Sequence, residues 1–215
     1  MLHHLYGILE RLPSPDSLPD AGIDDRPVYA RRIGGFVVLA TLLDSPPRPG
    51  PRALGRHLDV LAAMSSAGPL FPLRYGVTVP AADLAPWLAA RAATIRAGLK
   101  GVRGRVEMRV SVLALRFGQG EPARLREIAD RVTDAAGYGS WRSHEGGRGG
   151  NAAITLAFLV PGADTTTFLA RIAPIVARAG DVAVVPSGPW PAWTFMPSLD
   201  PPAPAPSQPM AVASV

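Results

Sequence analysis

Polar and apolar residues alternate without interruption through Arg105-Val106-Glu107-Met108-Arg109-Val110-Ser111-Val112. Successive side chains of a strand point to opposite faces, so this period of two specifies a strand with one face buried and the other open. The residues that follow must supply the cover. The pattern predicts an amphipathic helix from Pro122, with Leu125, Ile128, Ala129 and Val132 along one side, the proline in the first turn and Gly137 just past the end. Glu127 and Arg131 form an i,i+4 pair on its exposed side. A strand near Tyr138 to His144, a Gly146 to Gly150 loop and a strand from Asn151 to Val160 read as a hairpin. A further helix is expected after a capping Asp164, burying Phe168, Leu169, Ile172 and Val176, kinked at Pro174 and ending at Gly180. Asp181 to Val185 is the last strand. The order β-α-β-β-α-β is the split βαβ arrangement of a ferredoxin-like domain, assigned to residues 100–195.

Residues 1–99 read as a separate α+β domain. A strand is expected at Leu5 to Leu9, and two β-rich runs, Val28 to Ile33 and Phe36 to Leu42, meet at Gly34-Gly35, a pair suited to a hairpin turn. Leu54, Leu58 and Leu61 recur at helical spacing and predict a helix over Arg52 to Ser66, with His57 beside the stripe. Leu84, Leu88 and Ile95 predict another over Asp83 to Ala97, stopped by Gly98. Proline-rich stretches at Leu12 to Pro19 and Ser45 to Pro51 are surface loops on this reading. From Met196 onward, prolines at 197, 201, 202, 204, 206 and 209 leave little to form a core, and residues 196–215 are expected to be disordered.

The composition narrows the chemistry. Cysteine is absent, which excludes disulfides, thiolate metal sites and a cysteine nucleophile. The four histidines offer no metal-ligand spacing: His3-His4 is expected at a surface or strand edge, His57 and Asp59 point apart on a helix, and His144-Glu145 belongs to a solvated hairpin end. Gly146-Gly147-Arg148-Gly149-Gly150 leads into a strand and lacks the Lys-Ser/Thr of a phosphate loop. No catalytic residues, metal or cofactor are therefore expected. The net charge of +5 comes from dispersed arginines without interleaved aromatics. The strand at 151–160 offers Ala153, Thr155, Ala157 and Leu159 on the face opposite Ile154, Leu156, Phe158 and Val160. Small apolar groups cannot stack bases, so nucleic-acid binding is not indicated, and that face is better suited to another domain or a partner. The apolar runs are far shorter than the roughly 20 residues of a spanning helix, and the N-terminus lacks a secretory pattern, so the expected location is cytoplasmic.

Two blocks go beyond generic pattern: Gly68-Pro69-Leu70-Phe71-Pro72-Leu73-Arg74-Tyr75-Gly76 and Gly188-Pro189-Trp190-Pro191-Ala192-Trp193-Thr194-Phe195. Together with Leu5-Tyr6-Gly7-Ile8 and Gly104-Arg105-Val106-Glu107, in this order, the chain resembles the gas-vesicle GvpL/GvpF family over all but its tail. The resemblance implies a non-enzymatic accessory protein of gas vesicle assembly, located on the vesicle. Its implied partners are the small hydrophobic major shell protein and other accessory proteins, and the implied fold is an N-terminal α+β domain followed by a modified ferredoxin-like one. Ala192 and Trp193 stand where the family more often has Pro and Tyr, and the link from Arg116 to Pro122 is shorter than in many members. Pro72, Tyr75, Gly76, Gly188, Pro189, Trp190 and Phe195 are the family-motif residues. The prolines and glycines are expected to fix turns, Trp190 and Phe195 to bury aromatic area, and Arg74 to meet a partner. The two blocks are expected to form a seam between the domains. A ferredoxin-like small-molecule enzyme or sensor is the alternative, to be recognised by a deep apolar pocket with a convergent His or Arg.

Overall fold

The computed structural model describes residues 1–14, 17–65, 68–114, 122–146 and 153–199. It is an α+β fold built on two antiparallel sheets. In the first sheet, β2 (Tyr29–Ile33), β3 (Phe36–Leu43), β1 (Leu2–Leu9) and β4 (Leu70–Pro72) lie in that order, and β5 (Thr78–Pro80) pairs with the other end of β1. Helix α1 (Pro51–Met64) covers one face and α2 (Leu84–Gly101) the other. A bulge between Leu5 and Gly7 resets the side-chain alternation of β1. Leu5 and Ile8 consequently join the core under α2, while Tyr6 and Leu9 join the core under α1. At Gly7 a Cβ would lie 3.0 Å from the Phe71 backbone O and 2.7 Å from Leu70 Cδ1, so glycine eases the close approach of β4.

Burial on both faces alters several expectations. The first strand begins at Leu2, not Leu5, and His3 and His4 are core residues, 7% and 0% exposed. In α1 the buried face is His57, Val60, Leu61 and Met64, whereas Leu54 and Leu58 are exposed. Positions 57, 60, 61 and 64 satisfy helical spacing as well as the leucines do, and His57 is buried because it has hydrogen-bond partners. Gly98 does not stop α2, which runs on to Gly101. It is buried inside the helix, where a Cβ would lie 2.6 Å from the Phe71 ring.

The second sheet has the order β7 (Trp141–Gly146), β8 (Ala153–Pro161), β6 (Arg105–Ala114), β9 (Val182–Trp190), the strand order of the ferredoxin-like arrangement. Helices α3 (Pro122–Ala136) and α4 (Thr165–Val176) cover one face, and Met108, Val110, Val112, Ile154, Leu156, Phe158 and Val160 point into the core beneath them. Leu125, Ile128, Ala129 and Val132 are buried as the pattern predicts. In α4, however, Phe168, Ile172 and Ile175 form the buried face, while Leu169 and Val176 are exposed and Asp164 makes no side-chain capping bond. The helix continues past Pro174 and ends two residues later. Strand β9 extends five residues beyond the expected end because a bulge opposite Met108 keeps it on β6, Ser187 pairing with Arg109 and Trp190 with Glu107. The Gly146 to Gly150 loop and the link from Arg116 to Pro122 fall largely outside the described residues.

After β9 the chain crosses between the two sheets. Ala192 packs with Val102 and Leu159 on the outer face of the second sheet, Phe195 and Met196 border this cluster, and Met196 and Leu199 also reach the core under α2. The segment expected to be disordered from Met196 is therefore ordered and packed through Leu199, and residues 200–215 lie outside the described ones.

Candidate functional site

The first block leaves the sheet as it turns. Leu70, Phe71 and Pro72 pair with Leu9, Ile8 and Gly7, and Leu73 N donates to Tyr6 O at 2.8 Å. Beyond Leu73 the backbone reverses: Val77 N donates to Arg74 O at 3.3 Å, and Gly76 takes φ 89°, a conformation that favours glycine. Pro72 is buried and Arg74 exposed at this turn. Tyr75 is half-buried, its hydroxyl donating to Arg48 O at 2.7 Å and so holding the proline-rich loop.

The second block starts on β9. Gly188 has φ 121° and a Cβ there would meet Glu107 O at 2.9 Å, so the bulge needs glycine. Gly188 and Pro189 are exposed. Trp190 is 40% exposed, with Nε1 donating to Ser187 Oγ at 3.2 Å, contrary to the expectation that it is a buried ring. It stands on an edge strand whose far side has no neighbour among the described residues. Trp193 is the residue that turns inward, packing against the core under α1 with its ring 6.3 Å from that of His57. The 3-10 turn Trp193–Phe195 is tied down by Glu107. That carboxylate, fully buried, accepts from Thr194 N at 2.8 Å, Thr194 Oγ1 at 2.9 Å and Arg109 Nε at 2.5 Å. Phe195 is half-buried, with the Arg142 guanidinium 5.7 Å from its ring centre.

The blocks meet at an open groove of about 240 Å³. Phe71, Pro72, Leu73, Arg74 and Val77 form one wall, Trp87 and Arg91 of α2 another, and Trp193 with Met196 to Leu199 the third. Arg91 lies over the Trp87 ring at 4.6 Å and donates from Nη1 to Trp87 O at 3.3 Å. Among the described residues the lining includes no carboxylate, and neither Arg74 nor Arg91 has an acidic partner. Of the residues singled out in the sequence, Pro72 and Arg74 line this groove, whereas Tyr75, Gly76, Gly188, Pro189, Trp190 and Phe195 do not.

Under the same blocks lies a buried histidine pair. His57 Nε2 is 2.8 Å from Leu73 O, a group that only accepts, so this nitrogen carries the proton and Nδ1 is bare. His4 Nε2, 3.0 Å away, must then donate to His57 Nδ1, which leaves His4 Nδ1 buried and without a hydrogen-bond partner among the described residues. Burial pushes His4 down to about 3, with His57 adding to the effect. Burial likewise holds His57 below its ordinary value, against the Leu73 hydrogen bond. Both rings are neutral at pH 7, enclosed by Tyr6, Tyr75 and, for His57, Trp193. Among the described residues no group of three His, Asp or Glu side chains is placed to hold a metal ion. Sequence reasoning missed this pair, which is 53 residues apart, and also missed Trp87 and Arg91. Glu107 left a signal, as a carboxylate on the polar side of an alternating strand.

The model of the family described as gas vesicle synthesis protein GvpL/GvpF matches residues 2–138 and 119–197. Among solved structures, the gas vesicle protein GvpF from Anabaena sp. PCC7120 superposes with a TM-score of 0.76 at 19% identity, covering 90% of this chain and 95% of that one. GvpF from Microcystis aeruginosa gives a TM-score of 0.74 at 18% identity, covering 90% and 98%. No curated protein sequence matches the chain. No helix of the described residues is long and apolar enough to cross a membrane.

Proposed function

Since the chain belongs to the gas vesicle synthesis protein GvpL/GvpF family, we propose that it is a non-enzymatic accessory protein of gas vesicle assembly that binds the small hydrophobic shell protein. The observation that carries this reading is the convergence of both family-like blocks on one open groove of mixed polarity, where Arg74 and the half-buried Val77 stand with the half-buried Trp193, Met196 and Leu199. A groove open to solvent suits a side chain presented by another protein, and Arg74 at its wall is the anchor such interfaces favour. Other accessory proteins of the vesicle are further partners on this reading, and the vesicle in the cytoplasm is its location. The N-terminal α+β domain, residues 1–99, and the ferredoxin-like domain, 100–195, then act as one platform, with the segment after β9 as the seam. A small-molecule enzyme or sensor would instead enclose its ligand, and the histidine pair does not line the groove. Co-expression with the shell protein in cells making vesicles tests the proposal. The shell protein is expected to co-purify with the wild-type chain and to be retained at least about tenfold less by Arg74→Ala, the loss of an interface hot spot. A wild-type chain that never retains it overturns the proposal.

A further inference from the structure

Beside this groove stand two arginines that have no acidic partner among the described residues. Arg91 is already held in place: its guanidinium is stacked on Trp87 and one donor is fixed on the Trp87 carbonyl. Little side-chain freedom is then left to lose when an acceptor arrives, and a planar guanidinium presents several donors at once. Arg74 is exposed on the opposite wall, on a turn fixed by Gly76. Between them the half-buried Val77, Trp193, Met196 and Leu199 offer apolar surface, Phe71 and Leu73 being buried.

We infer that this groove binds a peptide segment of a partner protein in which an aliphatic or aromatic side chain is flanked by a carboxylate, the side chain filling the groove and the carboxylate pairing with Arg91 and Arg74. The inference rests on the reading of the groove as a partner-binding surface. At about 240 Å³ the groove is smaller than the roughly 300–1,000 Å³ of ordinary small-molecule sites, so it takes one or two side chains. Single-stranded RNA is less well suited, because base stacking needs an open aromatic face and Arg91 covers that of Trp87.

Capped, amidated hexapeptides with a central Leu-Phe pair flanked by Glu, by Gln or by Lys provide the probe. Trp87 and Trp193 in the groove walls report binding by fluorescence, and calorimetry gives the affinities. The Glu peptide is expected to bind about tenfold more tightly than the Gln peptide at low salt, the size of one charge-assisted pair, and to lose most of that advantage in high salt. Arg91→Gln and Arg74→Gln should each remove most of the preference without lowering the melting temperature, whereas Arg178→Gln, in the turn after α4, should leave it intact. Equal affinity for the Glu and Gln peptides would overturn the inference. So would displacement of the Glu peptide by single-stranded RNA or anionic vesicles with the same arginine dependence. Retention of the shell protein is read separately: its absence from wild-type preparations defeats the gas vesicle reading even where the peptide preference holds.

Discussion

Strand β1 is buried on both sides by α1 and α2, whereas β7 at the edge of the second sheet is exposed along its whole length. The first sheet is thus a closed layer between two helices. The second is covered by helices on one face only, and part of its other face is covered by the segment after β9. A closed layer offers its polar groups no water, so its histidine pair is held neutral, with three of the four ring nitrogens hydrogen-bonded internally. A half-open sheet can use a carboxylate instead, and Glu107 gives two of its three side-chain hydrogen bonds to the crossing segment and the third to Arg109 of its own strand. The join between the regions is therefore built differently on its two sides: ring packing around Trp193 on one and charge-assisted hydrogen bonds around Thr194 on the other.

Acid should separate the two regions most strongly. His4 is held near 3 and His57 below its ordinary value, so between those values and 6.5 the unfolded chain binds more protons than the native one. Their full contribution is present above pH 6.5 and is lost as pH falls, by at most about 1.4 kcal/mol per histidine for each pH unit. Urea titrations should show stability level from pH 7.5 to about 6.5 and falling from there to pH 4.5, while the imidazole C–H resonances of His4 stay fixed down to pH 5.5 and those of His57 titrate below the ordinary histidine range. Either resonance titrating near its ordinary value would show that the closed layer admits water and would remove the contrast.

On the other side of the join, Glu107→Ala should cost about 2–3 kcal/mol. It removes an acceptor serving three donors, two of them on Thr194, which is in the range for hydrogen bonds to a charged group. Arg109 can turn toward solvent, which keeps the cost below that of stranding a fully buried charge. Hydrogen exchange should show the Thr194 amide losing protection while β1 amides keep theirs. Uniform loss in both sheets would mean that the regions unfold as one unit and that the crossing segment is integral to the first core.

The contrast also explains what could be read in the sequence. Half-exposed β6, with its polar and apolar positions, gave its strand, its inward face and the ferredoxin-like order directly. The doubly buried Leu2-His3-His4-Leu5 has no such period, so the pattern alone starts the strand three residues late and leaves two core histidines at a surface or strand edge. In α1 two apolar faces compete, and only partners distant in sequence, His4 and Leu73 O, decide in favour of the one containing a histidine. The motif blocks were visible as unusual runs of proline and aromatics, but not the α2 residues, Trp87 and Arg91, that complete the groove. Those lie on a helix whose apolar stripe alone was conspicuous.

The smallest expected effect concerns two tryptophans three residues apart. Trp190 occupies the more conspicuous place in its block, yet it is 40% exposed and its indole N–H donates to Ser187 on the same strand. Trp193 carries less motif weight but packs against the core under α1, beside His57. Emptying a fully buried Trp site costs about 3–5 kcal/mol, so half-buried Trp193→Ala should cost about 2 kcal/mol. Trp190→Ala should cost less, about 1 kcal/mol, since a side chain 40% exposed has less burial to lose and leaves no enclosed cavity. Thermal melts of the two variants at pH 7 make the comparison, with the Glu107→Ala variant as background for a double-mutant cycle. Trp193→Ala should couple to Glu107→Ala, because both act on the same 3-10 turn, and Trp190→Ala should be closer to additive with it. A larger loss for Trp190 than for Trp193 would place the join on β9 itself, and the crossing segment would then be held by the second sheet alone.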